Sequence, residues 1–371
     1  MATTETVTTD QLMRVSVGPQ HPGSGHFRFI VTLDGDYIID VEPDPGYVHR
    51  GCEKMAEYRN WFQNIPHLER PVIHDSSNIL YPYCLAYEEL LGIEAPERGR
   101  YMRMIMAELN RIISHLYYLG IYGVFTGHTT MFMWPKADRE PFIDLALMCG
   151  GQRVTFAYLI PGGVRNDMPA VFKERAEKVF TWFLEQRLPE YDRIFFENPI
   201  FEERTRGVGV LSREKAVELG AVGPTARASG VDIDMRRDKP YDFYDRVDFD
   251  VPVFKEGDSY ARALVHREEI VQSIKIIRQC LKQMPEGPVR AVMRGRVRLQ
   301  EGEVLARTEA SRGEMTYYIV SKGGDYPYRL RLVTPSYRNL PAMRVVLKGM
   351  KLGDMPVAYW SLDYWPVEAD R

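Results

Sequence analysis

The spacing of apolar residues divides the chain into a β-rich start, a long helical middle and a β-rich end. Residues 28–42 read "RFIVTL", a turn "DGD" and "YIIDVE", rich in β-branched and aromatic side chains, and this pattern predicts a hairpin. From "PDPGYVHRG" onward the period changes. "GCEKMAEYRNWFQNI" and "SNILYPYCLAYEELLG" read as helical, with Pro82 expected to interrupt or kink the second because it brings no amide hydrogen. The clearest helix is "ERGRYMRMIMAELNRIISHLYYLG", which opens after Pro96 and is expected to close at Gly120. Within it Met102, Ile105, Leu109, Ile112, Ile113 and Leu116 recur at three- and four-residue steps. Further helices are expected over about 137–160, from Pro169 to about Leu188, and over about 258–284, where Leu264, Val271, Ile274, Ile277 and Leu281 keep helical spacing. After residue 303, "EVLARTEA", "EMTYYIVSK" and "YPYRLRLVT" are strand-like.

These elements predict an α+β protein, a central helical bundle with β-rich N- and C-terminal parts. Four segments are expected: a flexible Thr-rich tail over 1–15, a β-rich segment over 16–60, a helical bundle over 61–200 and a mixed α/β part over 201–371. Composition adds exclusions. A formal net charge of −3 gives no reason to expect nucleic acid as a partner. No run approaches the length of apolar chain that spans a bilayer, and Arg103 and Glu108 break the most apolar helix. The start carries no cationic region followed by an apolar one, so no secretory signal is expected. Cys52, Cys84, Cys149 and Cys280 are scattered without a CxxC, which points to free thiols in a reducing compartment.

Candidate chemistry is sparse. "GVGV" and "SKGGD" are too short to be dinucleotide fingerprints and read as turns. His67, His74 and Asp75 lie near one another, but no second group with ligand spacing supports a metal. Met102, Met104 and Met106 read as packing residues, and Tyr117, Tyr118 and Tyr122 fit a cavity wall and a core equally well. The loops stand out. "VGPQHPGSGHF" sets His21 and His26 among prolines and glycines, and "DPGYVHRG", "PGGVRND" and "SRGEM" combine tight turns with charged or imidazole groups, as site-forming loops on a scaffold do.

Those loops carry a resemblance. "VGPQHPGSGHFRFIVTLDGD", "GYVHRGCEKMAEYRNWFQNI", "AELNRIISHLYYLG", "PGGVRNDMP", "ERTRGVGVL", "RASGVDIDMRRDKPYDFYD", "SRGEMTYYIVSKGGDYPYRLRLVTPSYRNL" and the closing "SLD" and "EADR" resemble, in order, the D-type subunit of respiratory complex I. That family shares its fold with the large subunit of [NiFe]-hydrogenases. Active hydrogenases hold their metals with two CxxC pairs, and the corresponding positions here are Val72, Asp75, Trp365 and Glu368. Soft thiolates are therefore missing from all four, so the resemblance implies no metal in this chain.

The resemblance further implies a pocket shared with the small iron–sulfur subunit of the B type, in which a quinone-type acceptor is reduced. Menaquinone, ubiquinone and methanophenazine are the candidate carriers. Electrons would come through iron–sulfur clusters of partner subunits, from NADH or a reduced deazaflavin. Subunits of the C and I types and the H-type membrane subunit complete the implied surroundings at the cytoplasmic face of the cell membrane, where the reaction would drive ion translocation. His21 would structure the loop and His26 reach the acceptor, with Ser24 at the nearest position to the family's usual histidine. Ile73 stands where the family carries a tyrosine, Phe125 where it carries an aspartate, and Thr155 where it carries a histidine near the partner's cluster. Arg70 is retained beside that cluster, and His74 joins His21, His26, Ile73 and Phe125 as an expected acceptor contact. Losing the polar donors together suits a low-potential or less conventional acceptor; the alternative is a structural or assembly subunit that no longer binds one.

Overall fold

The computed structural model describes residues 12–21, 25–293 and 298–371. Its first unit is an antiparallel sheet of β1 (Met13–Val17), β2 (Arg28–Asp34) and β3 (Tyr37–Asp44), in that order. Strand β2 buries every second residue, so Phe29, Val31 and Leu33 face inward. The β2–β3 turn is two residues, with Gly35 at φ +54°. β1 begins within the segment expected to be a loose tail. Val15 pairs with Val31, and Val15 and Val17 pack against the same core, which recruits residues that composition alone marks as polar chain. Residues 1–11 of that tail lie outside the described residues.

Helices α1 (Cys52–Ala56) and α2 (Trp61–Glu69) replace the single helix expected over this stretch. The break falls at Asn60, whose side chain accepts the Phe62 and Gln63 amides while Gln63 returns a bond to the Asn60 amide, a capping box that starts a new helix. Helix α3 (Ser76–Leu91) runs unbroken through Pro82. Both sides of that residue are buried, and tertiary packing overrides the missing donor.

Helix α4 (Glu97–Phe125) passes through Gly120, where a stop was expected, and through Gly123. The reason is a neighbour. Helix α5 (Thr129–Asp138) folds back so closely that a Cβ on Gly123 would lie 2.8 Å from the Met131 Cβ. These glycines serve close packing instead of termination. Helix α6 (Glu140–Gly150) stops ten residues earlier than expected, capped by Gly151 at φ +76°. Helix α7 (Phe172–Trp182) continues in wider turns to Phe196, beyond the expected end at Leu188; the wide turns flank Pro189, which cannot donate to a regular α-helical ladder.

Helix α8 (Ser259–Gln283) packs along α4 through Ile270, Ile274 and Ile277, matching the expected span. Their contact is also polar. His115 of α4 bonds Glu269 of α8 at 2.8 Å and His266 at 2.9 Å, and Arg227 joins Glu269 to Glu309. Arg103 and Glu108, the charges that interrupt the most apolar helix, are fully buried: Arg103 pairs with Glu88, and Glu108 with Arg111 and Arg236. Such pairs are tolerated inside because each charge is matched and hydrogen-bonded.

The C-terminal sheet consists of β4 (Leu299–Ala310), β5 (Gly313–Gly324) and β6 (Arg329–Val333), all antiparallel. Its β4–β5 turn, Ser311–Arg312, is buried, so the hairpin points its tip into the protein. Gly223 makes room for that tip: a Cβ there would meet the Arg312 carbonyl oxygen at 2.1 Å. Helices α9 (Pro335–Leu347) and α10 (Met355–Ser361) then return the chain against the N-terminal sheet through Met343, Val346 and Tyr359.

Candidate acceptor cavity

A cavity of about 480 Å³ opens where five distant segments meet. The C-terminal half of α4 supplies Tyr117, Ile121, Val124 and Phe125, which share a face because they are spaced by three or four residues. Phe132 and Lys136 come from α5, Trp360 from α10, and Trp365 from the chain after it. The Gly25–His26 corner closes the wall. Both corner residues have positive φ, +58° and +72°, and a Cβ on Gly25 would lie 3.5 Å from the Trp360 ring.

Aromatic stacking shapes the lining. Phe125 lies parallel to Trp360, with centroids 4.8 Å apart and planes within 9°. Behind the wall, His74 stacks on Tyr117 at 3.7 Å and meets Trp365 edge-on at 5.4 Å. Asn110 holds the His74 segment by donating to its carbonyl at 2.7 Å. Burial, with the charges of Arg312, Arg139 and Lys136 nearby, pushes the His74 imidazole down to about 3, so it is neutral at physiological pH. Tyr117 is also approached by Arg139 at 5.3 Å and Lys136 at 5.8 Å.

Beneath this aromatic layer lies a buried charge cluster. The Arg312 guanidinium sits 3.2 Å from Asp363, 3.7 Å from Glu368 and 5.9 Å from the Trp365 ring centre. Asp75 accepts the Ser311 amide at 2.9 Å and the Asn78 side chain at 2.6 Å. Burial outweighs the attraction of Arg312 and raises both Asp363 and Glu368 to about 7.

Of the expected acceptor contacts, His26 and Phe125 line the cavity, and His74 lies one layer behind it. His21 is exposed at the edge of the described loop, and Ser24 lies outside the described residues. Ile73 points outward, 40 % exposed, and does not line the cavity. The β-branched chain at the end of α2's extension faces solvent because Val72 takes the inward position of that turn. Arg70 is exposed and Thr155 half-buried at φ +50°. Their segments are tied together by Glu69, which accepts the Ala157 amide at 2.8 Å and is raised by burial to about 7.

The four positions corresponding to hydrogenase metal ligands separate. Val72 belongs to the hydrophobic core, whereas Asp75, Trp365 and Glu368 gather around Arg312. That donor set does not fit a nickel–iron centre: it offers no thiolate, and a guanidinium already supplies the positive charge. No group of three or more potential ligands is present among the described residues, and all four cysteines are buried and unbridged. Sequence reasoning missed Trp360, Lys136, Arg139 and Arg312. Only Arg312 had a visible signal, the "SRGEM" loop.

The fold and this cavity together define an α+β protein of the [NiFe]-hydrogenase large-subunit type that lacks the metal ligands. Comparison with known proteins sharpens the class. The family model for the 49-kDa subunit of respiratory-chain NADH dehydrogenase matches residues 126–297 and 290–371, and the chain belongs to that family. It is 42% identical to the D-type subunit of NADH-quinone oxidoreductase from Clostridium beijerinckii, over 97% of each chain. With the corresponding subunit of Desulforamulus reducens it shares 39% identity over 98% of this chain and 100% of the relative. Among solved structures it is similar to a chain of the membrane-bound sulfane sulfur reductase, an archaeal respiratory membrane complex. There the TM-score is 0.93 and the identity 35%, over 98% of this chain and 99% of that one. No helix among the described residues is long and apolar enough to cross a membrane.

Proposed function

We propose that this chain is a peripheral-arm subunit of a complex I-like respiratory oxidoreductase. With a small iron–sulfur subunit it would form the pocket in which a quinone-type carrier is reduced, bound at the cytoplasmic face of the membrane through partners. The carrying observation is the cavity itself: an aromatic, mostly apolar chamber of about 480 Å³ into which the expected residues His26 and Phe125 both project. Its volume and lining suit a fused-ring head group, which the parallel Phe125–Trp360 pair would contact face or edge.

The division of labour follows from the residues. Aromatic walls bind and exclude water, and His26 and Tyr117 offer hydrogen bonds to a carbonyl oxygen. Arg70 and Thr155 face the partner's cluster, and His21 holds the loop. The chain brings no redox centre of its own, so electrons from NADH or a reduced deazaflavin arrive through partner clusters. Subunits of the C and I types and the H-type membrane subunit are the further partners in this reading, and the acceptor is menaquinone, ubiquinone or methanophenazine.

A second reading has a specific observation behind it. The similar solved complex is a sulfane sulfur reductase, and Lys136 in the cavity wall with Arg139 beside it, neither in an ion pair among the described residues, suits an anionic sulfur chain. The test is to purify the complex through a tag on this chain, extract it with organic solvent and assay reduction of menaquinone and polysulfide. A stoichiometric isoprenoid carrier that the complex reduces supports the quinone reading. Sulfide production alone supports the second. No reduction of either leaves a structural role and removes the acceptor-site assignment.

A further inference from the structure

Two cations beside the cavity have no ion-pair partner among the described residues. Lys136 lines the chamber, with its stem along Gly120 and its ammonium 3.8 Å from the Phe132 ring centre. Arg139 follows one turn later, 5.3 Å from the Tyr117 ring centre. Neither forms an ion pair among the described residues. The Arg139 Nε and Nη1 atoms are shut off from solvent without a hydrogen-bond partner. Its neighbour Glu140 acts on it only at longer range and is engaged by Arg153, and no carboxylate among the described residues lines the cavity. Buried donors without acceptors are costly, and native proteins keep few of them.

We propose that Lys136 and Arg139 form a cationic clamp that binds the negative charge developing on the acceptor as it is reduced. This rests on the cavity being the acceptor site. Two electrons delivered by the partner's iron–sulfur cluster would turn both quinone carbonyl oxygens into phenolates, each of which then takes a proton from solvent. Delivered to a sulfane chain, they would break its terminal S–S bond and leave an electron pair on each sulfur; the shortened chain keeps a thiolate end, and the departing sulfide takes up a proton from solvent. The shared chemistry is an anion on a terminal atom, and a fixed cation in a water-poor wall stabilises it more than solvent does. Because His74 is neutral, Lys136 and Arg139 hold the positive charge on this side of the aromatic layer.

The test uses the intact complex and two probes of nearly equal shape: 2-hydroxy-1,4-naphthoquinone, an anion at neutral pH, and its neutral 2-methoxy analogue. Binding is read by equilibrium dialysis, without turnover. Wild type is expected to favour the anion by about tenfold, and Lys136→Gln or Arg139→Gln to remove about tenfold of anion affinity while leaving the neutral probe within about twofold. Lys136→Arg and Arg139→Lys should retain most of the preference. Equal binding of both probes to wild type, or equal loss of both in the Gln variants, overturns the clamp and leaves the acceptor site standing. Binding of neither overturns the acceptor site and the clamp with it. Turnover then separates the sources. A fall in menaquinone reduction in the Gln variants assigns the clamp to a quinone, and a fall in sulfide production assigns it to sulfane sulfur. If neither rate responds, the clamp is refuted.

Discussion

Replacing Arg312 by Met should expose how the buried cluster is balanced. The guanidinium is 3.2 Å from Asp363 and 3.7 Å from Glu368, and at an effective dielectric near 20 these separations correspond to attractions of about 5 and about 4.5 kcal/mol. The net loss is smaller, because an abandoned buried acid takes up a proton instead of staying charged. Breaking such a pair typically costs about 3–5 kcal/mol. Asp363 and Glu368 rise from ordinary values of 3.8 and 4.5 to about 7 in the folded chain. The stability each contributes is therefore present below about 4 and lost as pH rises through about 7. Without Arg312 the folded values climb further, so the variant goes on losing stability above pH 7 after wild type has levelled. The deficit should be constant near pH 6 and widen by as much as about 2 kcal/mol per acid by pH 8.5. Hydrogen exchange of the β4–β5 turn amides in the intact complex, corrected for intrinsic rate, reads this local free energy. A deficit that stays flat between pH 6 and 8.5 would refute the coupling.

Two further outcomes follow from the same geometry. Glu69 is lifted by burial from 4.5 to about 7, so Glu69→Gln should gain stability over wild type as pH rises from 4.5 to 7, levelling at about 3 kcal/mol; exchange of the amides around Ala157 checks it, and a pH-independent difference would count against it. Gly223→Ala combines φ +64° with a Cβ 2.1 Å from the Arg312 carbonyl oxygen, so it should loosen the hairpin tip by more than about 3 kcal/mol, seen as faster exchange at Ser311–Gly313; unchanged protection there would show that the tip relaxes freely.

Periodicity carried the long helices and both sheets because α4, α8 and β2 each keep one face apolar over many residues. It failed at their ends for a local reason. Gly120 looks like a stop until α5 is packed against it, and Gly150 looks interior until Gly151 turns left-handed. The two histidine-bearing parts of the cavity were legible only in part: His26 by its unusual loop, His74 by its place before α3. Trp360, Lys136 and Arg139 were not, since on their own segments they resemble ordinary surface or core residues. Trp360 reaches the cavity through a contact across more than 200 positions, with Phe125, and Lys136 and Arg139 reach it only because α5 folds back on α4. Ile73, offered by alignment to the family, is exposed and does not line this cavity of the single chain.

The two levels of the site have opposite charge balance, and the aromatic layer between them explains why both persist. Below it, Asp75, Asp363 and Glu368 surround the single cation Arg312. Beside the cavity, Lys136 and Arg139 form no ion pair among the described residues, and the neighbouring Glu140 is bonded to Arg153. Left in contact, these groups would pair and neutralise one another. Tyr117, His74 and Trp365 keep them apart through stacked and edge-on ring contacts, and a neutral His74 adds no charge to bridge the gap. The arrangement keeps cations available to an entering anion while Arg312 supplies, to the acids below, the positive charge that a metal would supply in a hydrogenase. On the proposed reading, a chain with no thiolate at these positions keeps a polarised chamber, which suits an acceptor that gains negative charge.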